Sequence, residues 1–180
     1  MASVTIVSGA PGTGKTTVAA WLAKRSPHGL HIASDVFYTF PAAAIAPHLP
    51  AAREQNATMM VALSRATAAF ASGGYDVYLD GIFGPWFLPL VTAELSTVTA
   101  TIHYVVLRAP LEVALARVRG RRDDCDEAVV REMHRQFEDL GGYARHAVAT
   151  SQRTSEDVAA EIALRISREE FVLRPAEGRG

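Results

Sequence analysis

The sequence has a single cysteine, Cys125, in 180 residues. One thiol excludes an intramolecular disulfide framework and fits a reducing compartment. Its neighbours Asp123, Asp124 and Asp126 would raise the pKa of a thiol close to them, which argues against a nucleophile. Long apolar runs are also missing. The stretches 42–46 and 82–91 are short and interrupted by proline, so nothing reads as a membrane span. No charged leader with a cleavage signal precedes the first strand-like run, so the expected location is the cytoplasm. Neither charge dominates: the net charge is −1, with 21% charged residues. This leaves no broad basic surface for nucleic acid or an anionic membrane, and any basic site must be local. Repeats, low-complexity segments and linkers are absent, and the length suits one domain spanning 1–180.

What is present is concentrated near the start. Gly9-Ala10-Pro11-Gly12-Thr13-Gly14-Lys15-Thr16 fits G-x-x-x-x-G-K-[ST], the P-loop or Walker A pattern. A triphosphate needs a ring of backbone N–H donors, and only a loop of small side chains wraps closely enough to supply them. Gly9, Gly12 and Gly14 meet that need, with Thr13 and Thr17 completing the nucleotide set. Lys15 is placed to reach the β and γ oxygens of ATP, and the Thr16 hydroxyl to join the shell of a Mg²⁺ ion. Both flanks agree. Val4, Thr5, Ile6 and Val7 form a β-branched run, and Val18, Trp21 and Leu22 then recur at helical spacing.

Further along, 30–33 reads as a second strand followed directly by Ser34-Asp35. In an open parallel sheet the carboxyl ends of the strands gather ligands, so Asp35 would face the transferred phosphate and accept or orient an acceptor proton. Capping of the next turn is the alternative. Residues 36–50 are irregular and aromatic, able to wall a pocket. A helix is expected over 51–72, with Met59, Leu63, Ala66 and Phe70 on its buried face, stopped by Gly73-Gly74. The strand 75–79 ends in Asp80-Gly81. Asp80 reads as a Walker B type carboxylate on Mg²⁺, because the residues after it do not alternate as a returning hairpin strand would. A short helix over 85–94 would bring Trp86 and Phe87 to the mouth of the site.

The strand 101–107 leads to a helix with Leu111, Ala114, Leu115 and Val118 on one face. Arg117, Arg119, Arg121 and Arg122 follow, either a solvated basic face or a lid that neutralises the γ-phosphate. A helix over 126–140, a strand over 146–149 and a helix capped by Thr154 or Ser155 complete the alternation. The last dozen residues lose periodicity, and 175–180 reads as a frayed tail.

The strand, P-loop and helix at the start, the alternation that follows and the arginine-rich segment together resemble the nucleoside-monophosphate-kinase-like branch of P-loop kinases. Within it, the chain is similar to small-molecule kinases such as gluconate kinase, shikimate kinase and chloramphenicol phosphotransferase. The resemblance implies a three-layer α/β P-loop NTPase fold with a five-stranded parallel sheet in the order 2-3-1-4-5 and a short helical lid. The acceptor region would fall within 36–60 and the lid within 117–140. By the same resemblance Arg117 stacks on adenine, Arg121 reaches the phosphates, the loop 150–154 borders the adenine and Asp35 is the base.

Two departures stand out. No long lid insertion separates Arg121 from Asp123, and no glycine-rich acceptor loop follows the third strand beyond Gly81 and Gly84. The expected activity is an ATP- and Mg²⁺-dependent transfer of the γ-phosphoryl group to a hydroxyl of a small molecule. A nucleotide or nucleoside kinase, or an ATP-binding switch without kinase activity, are the alternatives. An N-K-x-D guanine signature is missing, and the third strand ends in Asp80-Gly81 without the Asp-Glu pair of motor ATPases.

Overall fold

The computed structural model describes residues 2–120 and 126–174. The chain runs β1 (Ser3–Ser8), α1 (Lys15–Arg25), β2 (Gly29–Ala33), α2 (Arg53–Ser72), β3 (Asp76–Asp80), α3 (Leu88–Leu95), β4 (Thr101–Arg108), α4 (Leu111–Arg119), α5 (Glu127–Gln136), β5 (Ala147–Ala149) and α6 (Ser155–Ser167). The strands form one parallel five-stranded sheet in the order β2-β3-β1-β4-β5, as the resemblance implied.

Both faces of the sheet are covered, which is why its strands read as unbroken apolar runs. Side chains alternate across the pleat. Val4, Ile6, Tyr104 and Val106 pack on one side with Met60 and Leu63 of α2 and Leu88 and Val91 of α3. Val7, Val105 and Leu107 pack on the other with Val18 and Leu22 of α1 and Val158 and Ile162 of α6. Each fully buried aliphatic side chain contributes about 1.5–3 kcal/mol of transfer free energy. Among the described residues no helix is long and apolar enough to cross a membrane.

Two local expectations are corrected. The buried face of α2 is Met60, Leu63, Ser64, Thr67, Ala68 and Ala71, not the stripe through Met59 and Phe70. Phe70 is 41% exposed and packs edge-on to Tyr75. The interior accepts Ser64 and Thr67 because their hydroxyls donate back to the carbonyls of Met60 and Leu63, so polarity there carries no unsatisfied group. α5 ends at Gln136, short of the expected 140, although Phe137 and Leu140 remain buried in the turn that follows. The segment before the tail is ordered. Phe171 is fully buried, its carbonyl accepts from Tyr104 N, Leu173 N donates to the Ile102 carbonyl, and Val172 bridges His103 in antiparallel sense. Residues 175–180 lie outside the described residues.

Candidate active site

The P-loop leaves β1 at Ser8 and enters α1 at Lys15. Gly9 and Gly12 are required by contact as well as by conformation. Their φ angles are +140° and +79°, and a Cβ would stand 2.4 Å from the Leu107 carbonyl oxygen and 2.4 Å from that of Ala114, respectively. The loop is thus pressed against the end of β4 and the body of α4, with the N-terminus of α1 open toward a phosphate. Thr13 Oγ1 donates to the Ala10 carbonyl at 2.8 Å, and Lys15 Nζ donates to the same oxygen at 3.1 Å.

Parallel pairing sets Asp80 at the end of β3, level with Val7 of β1 and Ala33 of β2. It is 4% exposed. One carboxylate oxygen accepts from Thr16 Oγ1 at 2.7 Å, and the other lies 2.6 Å from His31 Nε2. The chain then leaves toward α3 instead of turning back as a hairpin. Sequence reasoning singled out Thr16 and Asp80, 64 positions apart, and the fold brings them together. A hydroxyl and a carboxylate in contact beside a phosphate-binding loop fit Mg²⁺, which takes hard oxygen ligands and leaves the rest of its shell to water and phosphate. His31 was missed. Its only sequence signal is a polar residue between Leu30 and Ile32, and its partner is set by the β2–β3 register.

Two cavities flank the loop. The first, about 320 Å³, is bordered by Thr13, Gly14, Thr17, Arg117 and Thr150. Arg117 donates from Nη1 to the Gly12 carbonyl at 3.2 Å and from Nη2 to the Thr150 carbonyl at 3.5 Å, so it ties the loop to the segment after β5. Arg153 also lines this cavity and is held by Glu161 of α6. Arg121, expected at the phosphates, lies outside the described residues, as do Arg122 and Cys125.

The second cavity, about 310 Å³, opens on the other side of Pro11. Asp35 lines it, within a 3₁₀ turn (Ser34–Thr39) that follows β2 directly. The N-cap of that turn is Ala33, so Asp35 is not its capping residue. Tyr38, His48 and Asn56 add polar groups, while Met60, Ile82, Trp86, Phe87, Val129 and Met133 make an apolar wall. Burial, and secondarily the charge of Asp35, push the Tyr38 phenol upward from its ordinary pKa. Trp86 and Phe87 both line this cavity, the pair that the sequence expected near the site. Met60, Val129 and Met133 lie on helices whose apolar spacing cannot by itself separate a core face from a pocket wall.

The loop carrying the aromatic wall is anchored to the sheet. Ser8 Oγ donates to the Phe83 carbonyl at 2.9 Å and accepts from Phe83 N at 3.0 Å, and the buried Tyr104 hydroxyl donates to the same carbonyl at 2.7 Å. Burial raises the Tyr104 phenol well above its ordinary range.

The sheet order, the P-loop and its flanking helices define a P-loop kinase-like fold. A family model described as an AAA domain matches residues 4–140, and the chain belongs to that family of P-loop domains. No curated protein matches the sequence. Among solved structures, a sugar kinase from Janibacter sp. superposes with a TM-score of 0.70 at 15% identity, covering 100% of both chains. The APS kinase of Mycobacterium tuberculosis, solved with AMPPNP and APS, has a TM-score of 0.69 at 16% identity over 92% of this chain and 98% of that one. Shikimate kinase from Acinetobacter baumannii, solved with shikimate, has a TM-score of 0.61 at 18% identity over 93% and 97%. At these identities the likeness is one of fold.

Proposed function

We propose that this protein is an ATP- and Mg²⁺-dependent kinase that moves the γ-phosphoryl group to a hydroxyl of a small molecule. The observation that carries the reading is the pair of cavities on opposite sides of the P-loop, one bordered by Thr17 and Arg117 and the other holding Asp35. A switch needs one nucleotide site; a transferase needs two sites that meet at the phosphate.

In this reading the nucleotide base lies in the cavity of Arg117 and Thr150, and the P-loop amides with Lys15 hold the β and γ phosphates. Thr16 and Asp80 would hold Mg²⁺, which neutralises phosphate charge when bound. Asp35 takes the proton of the acceptor hydroxyl as that oxygen bonds to the γ-phosphorus. The bond from that phosphorus to the bridging oxygen breaks, and ADP leaves with the electron pair. The apolar wall excludes water that would compete as acceptor.

The test is transfer from labelled ATP to a panel of hydroxylated small molecules. Lys15→Ala should abolish it, and Asp35→Asn should lower kcat by about 10²-fold while ATP affinity changes little. Full turnover of Asp35→Asn with the true acceptor would remove the base assignment.

A further inference from the structure

The cavity beside Asp35 has no lysine or arginine among its described lining residues. Given the kinase reading above, on which this inference rests, we propose that the acceptor is an uncharged hydroxyl compound with an aromatic or similarly flat apolar body. Phosphorylated, sulfated and carboxylated acceptors are disfavoured by the described lining, and with them nucleoside monophosphates.

An anionic acceptor would have to leave water for a described lining that offers no guanidinium or ammonium group, the groups that ordinarily offset that cost. Four described arginines of the neighbouring elements are engaged elsewhere, and Arg53, which opens α2, is not among the residues lining the cavity. Arg117 bonds the Gly12 and Thr150 carbonyls across the loop, Arg131 faces Glu112 and Glu127, Arg135 pairs with Glu132, and Arg65 pairs with Glu94. Asp35 adds a repelling charge of its own. His48 is the only described lining side chain able to become positive.

The polar groups present suit a neutral ligand. Asn56 donates from Nδ2 to the Pro47 carbonyl at 2.8 Å, which leaves its side-chain oxygen buried with no partner. An unmatched buried acceptor costs about 1–3 kcal/mol, and a hydroxyl or amide N–H of a ligand relieves it. A carboxylate or dianionic phosphate has no proton to offer. The raised Tyr38 phenol stays a neutral donor. Trp86 is 44% exposed although it is braced edge-on by Phe137, so a ring face is available for stacking. Met60 and Met133, which also line the cavity, can adapt to irregular apolar shapes.

The experiment uses the Trp21→Phe variant, which leaves Trp86 as the sole tryptophan of the two in the chain. With Mg²⁺ and AMPPNP present, Trp86 fluorescence is titrated with 1-phenyl-1,2-ethanediol, with mandelate, which keeps that skeleton but carries a carboxylate, and with AMP. The diol should bind at least about tenfold more tightly than mandelate, AMP should give no response, and His48→Gln should leave this order unchanged. Met133→Arg should reduce the preference by about tenfold or invert it. Equal or tighter binding of mandelate or AMP, or no response to the diol up to its solubility, would overturn the proposal. The same samples are then given ATP. Selective diol binding without phosphate transfer would remove the kinase reading and leave the ligand class standing. Transfer to mandelate or AMP would do the reverse.

Discussion

In the proposed kinase, Asp80 is the residue on which the phosphate end of the site would turn, because both its oxygens are engaged and almost none of it meets solvent. A carboxylate held this way has one orientation, and His31 fixes it from the side opposite Thr16. Replacing His31 with phenylalanine keeps the volume and removes the hydrogen bond. The Mg²⁺ concentration for half-maximal transfer should rise about tenfold, with Asp80→Ala more severe, measured by Mg²⁺ titration at saturating ATP. The places of Lys15 and Thr16 at the start of α1, and of Asp35 and Asp80 at strand ends, could be read from a motif and from the strand pattern. That of His31 could not, since its role depends on which residues of β2 and β3 lie level, a register no single strand encodes.

At the scale of elements, the P-loop and α4 are one packed unit. Gly12→Ala would place a Cβ 2.4 Å from the Ala114 carbonyl oxygen at a φ of +79°, a conformation that costs a side-chain-bearing residue about 1–3 kcal/mol. Relief requires α4 to move, and Arg117 rides on α4. ATP affinity should therefore fall at least about tenfold by calorimetry while the fold survives. Element existence was read well from periodicity, but the rotation of α2 was not. Apolar spacing suggested Phe70 for the interior, whereas the space against the sheet admits Ser64, Thr67 and Ala68, whose small side chains bring the helix close. Large residues mark a buried face only when the neighbour leaves room for them.

For the whole molecule, three tyrosines bind stability to pH. Tyr38, Tyr78 and Tyr104 are all raised from an ordinary value of 10.0, with burial the largest cause in each. The folded state therefore favours the neutral phenol. Stability is insensitive to these groups below about pH 10 and falls as pH rises from there toward the folded values, because the unfolded chain releases the protons first. Urea midpoints taken at pH 8, 10 and 11 should drop over the last interval, and Tyr104→Phe should flatten that drop. The sheet order was legible only through resemblance to P-loop kinases; composition and spacing count strands without ordering them. The return of Phe171 to Leu173 onto β4 was invisible, since three residues are too few to show a period.

That return has a bearing on how the protein keeps to itself. β5 is only three residues long and pairs with Val106 to Arg108, so the first half of β4 would otherwise present free N–H and C=O groups along an apolar rim. Such a rim is a template for another chain. The hydrogen bonds from Tyr104 N to Phe171 and from Leu173 N to Ile102 occupy it. A chain cut after Arg168 should still build the P-loop but lose its colloidal solubility, with light scattering that grows steeply with concentration and time. A few residues far from the chemistry thus decide whether the sheet stops at its own border or recruits its neighbours.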